Sequence, residues 1–124
     1  RHAPEPRATI MATGSEVHLA VQAAEHLAGE GIEVNVASLP CLEWFDQQER
    51  SYRDAVIRPD VPARVAVEAG STIGWHRYVG DNGAIVGLDH FGASGDASRL
   101  FSEFGVTADA VADATRRVLA ALNA

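Results

Sequence analysis

The chain has 124 residues, 47% of them hydrophobic and 22% charged, a balance that fits one globular domain large enough to bury a core. Seventeen acidic residues against ten basic ones give a formal net charge of −7, which argues against nucleic acid and against an anionic membrane surface as partners. One cysteine, Cys41, permits no intrachain disulfide, and no run approaches the roughly 20 apolar residues of a membrane span, so the expected compartment is the cytoplasm.

All ten basic residues are arginine, which reads as composition bias and carries no functional signal. The first residues, "RHAPEPR", are polar and proline-rich, and residues 1–7 are expected to be an extended interdomain linker of a longer polypeptide, with the domain proper over 8–124.

"ATIMA" (8–12) is a short apolar run and is predicted as the first strand. Val17, Ala20, Val21, Ala24, Leu27 and Ala28 then form a helical stripe, with Gly31 suited to the left-handed residue after the helix. "EVNVAS" (33–38) is a second strand. "LPCLEWFDQQERSYRDAVI" (39–57) predicts one or two short helices after a proline break. "ARVAVEAG" (63–70) is a third strand, "STIGWHRYVG" (71–80) a short aromatic helix, and "GAIVGLDHF" (83–91) a fourth strand. A glycine-rich loop and a helix follow over 92–105, with Asp96 as N-cap. In the last helix Thr107 serves as cap and Val111, Ala114, Val118 and Leu122 as apolar stripe. Arg116 and Arg117 lie toward its C-terminal end, where the helix dipole favours cations.

Strands that are apolar on both faces and alternate with helices define a parallel sheet covered on both sides. The expected fold is a three-layer α/β/α sandwich with a mostly parallel sheet of at least four strands in the order 2-1-3-4. Ligands of such sheets sit beyond the carboxyl ends of the strands. Here those ends bring forward Thr13, Gly14 and Ser15, then Glu68 and Gly70, then His90, as a candidate anion crevice.

"MATGSEVHLA" (11–20) places a strand, a turn and a helix start together, an arrangement that holds phosphate in many proteins. Gly14 stands alone, however, without a glycine-rich phosphate motif or any lysine. Thr13-x-x-Glu16 matches a capping box, so the favoured reading is a self-capped helix. Glu68, ending an apolar strand, needs partners if it is buried. It reads as an internal anion that satisfies the turn, with a general base as the alternative. His90 beside Asp89 is the best catalytic candidate by type. His18 and His26 read as solvated, and none of the histidines fits a metal-binding spacing. Trp44 and Trp75, with charges beside them, suit an interface between domains. From the residues alone no catalytic set emerges.

The order strand, T-G-S-E, helix, Gly, strand, L-P over residues 8–40 resembles the transketolase C-terminal domain. "WFDQQERSYRDAVI" is similar to that family's F-D-x-Q…Y-R-x-x-[VI] segment, and "ARVAVEAG", "GWHRYVG" and "GAIVGLDHFGASGDASRLFSEFG" continue the likeness in register. Gly95-Asp96 stands where many members have Ala-Pro. The resemblance implies a Rossmann-like fold with a fifth, antiparallel strand. It implies a bacterial, cytoplasmic homodimer of the pentose phosphate pathway that moves a two-carbon ketol unit from a ketose phosphate to an aldose phosphate. Thiamine diphosphate and Mg²⁺ would be held by the N-terminal and middle domains, leaving this domain with no catalytic, cofactor or metal residue. A regulatory module for small anions, or a separate C-terminal subunit of a split enzyme, are the competing readings.

Overall fold

The computed structural model describes residues 6–13, 16–39, 42–68, 76–80, 83–87 and 107–123. Among these, four strands form one sheet: β1 (Ala8–Ala12), β2 (Val34–Ser38), β3 (Arg64–Glu68) and β4 (Ala84–Gly87). Their order is β2-β1-β3-β4 and every pairing is parallel, as the alternation of elements requires. The described residues contain no fifth strand. Five helices among the described residues accompany the sheet: α1 (Val17–Gly29), α2 (Leu42–Asp46), α3 (Arg50–Val56), α4 (His76–Val79) and α5 (Ala108–Asn123). The helix expected over 92–105 lies outside the described residues, as does Cys41.

The central strand explains the double cover. All five residues of β1 are buried, and successive side chains leave on opposite faces. Ala8, Ile10 and Ala12 join Val65 and Val67 beneath α1 and α5. Met11 joins Ala66, Phe45, Ile57, Tyr78 and Val79 on the other face. These are the two outer layers of the sandwich.

α1 buries Leu19, Ala20, Ala23, Ala24 and Leu27. The buried stripe thus takes Leu19 and Ala23 in place of Val21 and Ala28. Its small residues let α1 lie close to both the sheet and α5. Its C-terminal end is a Schellman motif: the Ile32 amide donates to the Leu27 carbonyl and the Gly31 amide to the Ala28 carbonyl. Gly31, at φ 80°, holds the left-handed position. Ile32 then packs on the core below, which turns the chain into β2.

α5 is capped as expected, with the Ala110 amide donating to the Thr107 hydroxyl at 3.1 Å. Val111, Ala114 and Val118 are buried. The expectation for Arg116 and Arg117 needs correction: neither lies in the last turn, which carries no basic residue. Arg116 acts through ion pairs. Its guanidinium clamps Glu30 at the end of α1 and also donates to Asp113 at 2.6 Å. This clamp ties the two helices of one layer at the surface, and it holds the Glu30 carboxyl below its ordinary pKa, chiefly through the Arg116 hydrogen bond.

Candidate functional site at the carboxyl edge of the sheet

Parallel pairing sets Ala12 beside Val67, so the next residues of the two strands, Thr13 and Glu68, emerge side by side at the carboxyl edge. The Thr13 hydroxyl donates to Glu68 Oε2 at 2.7 Å. Both residues are half-buried. The bond is charge-assisted, so it is stronger than one between neutral groups and holds the exit of β1 to the exit of β3.

This bond changes the account of the helix start. In a capping box the Glu16 amide would meet the Thr13 hydroxyl. It donates instead to the Thr13 carbonyl at 3.0 Å, closing a tight turn before α1. α1 begins at Val17, and its N-cap is Glu16, which makes no side-chain cap bond. The hydroxyl donates its single proton to Glu68, which strand pairing brings alongside, while the Glu16 amide takes the carbonyl of the same residue as its acceptor in place of the hydroxyl oxygen. The expected donors to Glu68 are backbone N–H groups of the helix start at residues 14–16; the donor seen among the described residues is the Thr13 hydroxyl.

Of the remaining crevice candidates, Gly14, Ser15, Gly70 and His90 lie outside the described residues. His18 and His26 are exposed on α1, as expected. Among the described residues no group of three or more His, Cys, Asp or Glu is placed to hold a metal ion, and no helix is long and apolar enough to cross a membrane.

A second polar assembly, which local patterns did not signal, lies at the opposite end of β3. Arg64 donates through Nε to the Val61 carbonyl at 3.3 Å, through Nη1 to Tyr78 and through Nη2 to Arg58, both at 3.2 Å. Tyr78 donates its hydroxyl to Asp46 at 2.6 Å. Only one clue was available: an arginine opening an otherwise apolar strand has to find acceptors. On the outside of α2 and α3, Trp44 and Tyr52 stand about half exposed with their rings edge to face at 6.2 Å.

A parallel four-stranded sheet in the order β2-β1-β3-β4, layered between helices and joined at its carboxyl edge by a threonine–carboxylate bond, defines a three-layer α/β domain. A family model described as the transketolase-like TK C-terminal domain matches residues 1–107, and the chain belongs to that family. It is similar to the transketolase of Mycobacterium tuberculosis, with 55% identity over 115 residues, 93% of this chain and 16% of that protein. It superposes on the transketolase from Leishmania mexicana with a TM-score of 0.85 and 43% identity, covering 96% of this chain and 17% of that one. A chain described as a split-gene transketolase, inactive beta4 tetramer, shares the fold at a TM-score of 0.68 and 22% identity, covering 94% of this chain and 40% of that one. The chain thus spans about a sixth of the length of the transketolases it matches in sequence.

Proposed function

We propose that residues 8–124 form the architectural C-terminal domain of a bacterial, cytoplasmic transketolase, with residues 1–7 as the linker from the preceding domains. The whole enzyme would be a homodimer that transfers a two-carbon ketol unit between sugar phosphates. Thiamine diphosphate and Mg²⁺ would reside on its N-terminal and middle domains. The observation that carries the architectural role is the Thr13–Glu68 bond. It places a carboxylate at the sheet edge where an α/β domain of this type would otherwise receive an anion.

The described residues do not fit the cofactor or its metal. A diphosphate at the start of α1 would meet the Glu68 carboxylate as a like charge. No cluster of ligating side chains among the described residues would hold Mg²⁺. The domain's own residues therefore act by packing: two buried faces fix the sheet, and exposed Trp44 and Tyr52 offer an aromatic surface to the rest of the enzyme.

The test is a ketol-transfer assay of this chain with thiamine diphosphate and Mg²⁺ supplied. No turnover is expected, and measurable turnover would overturn the assignment. A contiguous upstream reading frame for the other domains would exclude the arrangement as a separate subunit.

A further inference from the structure

The recess behind β3 is independent of the carboxyl edge. It has a volume of about 240 Å³ and lies between α2, α3, the loop after α3 and α4. That is below the roughly 300–1,000 Å³ of sites for drug-sized ligands, so its size suits a small molecule. The wall is mainly polar and carries charges of both signs, Arg53 and Arg64 with Asp46 and Asp54.

These four charges sum to zero, yet they do not neutralise one another. Among the described residues neither arginine lies within ion-pair distance of either aspartate, and Asp54 stands 3.6 Å from Arg50 on the rim. The fold keeps them apart. Arg53 and Asp54 are consecutive on α3, where neighbours in sequence do not face each other. Arg64 is held by the carbonyls of Val61, Tyr78 and Arg58, and Asp46 receives the Tyr78 hydroxyl at 2.6 Å. The Nε of Arg53 is buried and takes no part in the recess.

Opposite charges that share one recess without pairing select a dipolar ligand. An anion alone would meet two carboxylates as like charges, and a cation alone two guanidinium groups. A zwitterion offers each sign its opposite and leaves the net charge of the recess at zero. Phe45 and Ile57, both buried, supply an apolar side to the same space, enough for a short side chain.

We propose that this recess is a binding site for a small zwitterion, an α-amino acid with a short apolar side chain. Its carboxylate meets the terminal nitrogens of Arg53, beside the fixed charge of Arg64, and its ammonium turns toward Asp46 and Asp54.

L-Valine is the probe, titrated into the full chain with backbone amide signals followed by NMR. Two analogues each remove one charge: 3-methylbutanoate lacks the ammonium and isobutylamine lacks the carboxylate. Valine is expected to shift amides of α3 and the loop after it saturably, with a dissociation constant near the millimolar range expected for so small a ligand. Each analogue should bind at least about tenfold more weakly. Arg53→Gln and Asp54→Asn should each weaken valine by about tenfold, and Arg117→Gln, on the α5 face, should leave the titration unchanged. The analogue series runs on the parent chain, so it decides the matter even where a substitution unfolds the domain. Either analogue binding as tightly as valine would overturn the proposal. So would binding that both recess variants leave undiminished, or no saturation by about 100 mM valine.

Discussion

Thr13 and Glu68, 55 residues apart in the chain, are joined by a 2.7 Å hydrogen bond from hydroxyl to carboxylate across the ends of two neighbouring parallel strands. The bond converts the start of α1 from a local motif into a long-range tie. Glu68→Gln removes the charge assistance and is expected to lower unfolding free energy by about 1 kcal/mol in urea titrations. Thr13→Val should cost a similar amount, and the double variant little more, because the two act on one bond. Strict additivity would show that the pair is not coupled. Calorimetry should find no phosphate binding to Glu68→Gln. Saturable heat would mean that the carboxylate stands in an anion's place.

Gly83→Ala is expected to be among the more damaging single changes in the sheet. A Cβ at Gly83 would lie 2.5 Å from both the Val79 Cβ and the Val79 carbonyl oxygen, and 2.8 Å from the Arg64 carbonyl oxygen. Two of these neighbours are backbone, so relief requires moving the entry to β4 away from both the end of α4 and the start of β3. Overpacking of this kind costs about 1–3 kcal/mol or more. A thermal melt compares the variant with the parent, and an unchanged midpoint would refute the close approach.

Much of this architecture is legible locally. "ATIMA" has no polar face and so occupies the sheet's centre, and Gly31 ends α1 where positive φ is needed. Thr107 caps α5 through a bond spanning three residues. The polar ties are less legible because their partners are set by strand register and layer packing. Thr13 carries the local signature of a capping box, yet its proton goes to a residue that only the β1–β3 pairing brings near. Tyr78 reaches Asp46 across 32 residues, and Arg64 finds carbonyls on three separate segments. Hydrophobic periodicity reports which face is buried, and it carries no information on which buried polar groups will meet.

The Glu30–Arg116 clamp predicts an acid-side loss of stability. The folded-state pKa of Glu30 lies below its ordinary 4.5, with the Arg116 hydrogen bond as the largest cause. A depressed carboxylate contributes fully above its unfolded pKa and loses that contribution as pH falls through the folded value. Asp60, lowered chiefly by its hydrogen bond to Arg58, has the same sign. Urea midpoints of the parent chain and of Glu30→Gln should therefore differ at neutral pH and converge only as the pH falls below the ordinary glutamate pKa and through the depressed folded-state one. Both partners are solvent-exposed, so about 1 M salt should also narrow the gap. A gap that persists in acid would assign the effect to packing.

Thr9 offers the opposite outcome, a substitution that stabilises. It is fully buried in the central strand, and its backbone amide donates to the Ala63 carbonyl at 2.9 Å. Its hydroxyl has no hydrogen-bond partner among the described residues. Its neighbour Met11 belongs to the apolar layer that also contains Ala66 and Phe45. Valine has the same branched shape and suits a strand, so Thr9→Val replaces an orphaned hydroxyl by a methyl group without changing volume. The desolvation cost recovered is about 1–3 kcal/mol, and the urea midpoint should rise with an unchanged slope. Thr9→Ser keeps the hydroxyl and opens a methyl-sized cavity, so it should fall below the parent by about 1 kcal/mol. If Thr9→Val were the less stable of the two, the hydroxyl would have to be bonded in solution.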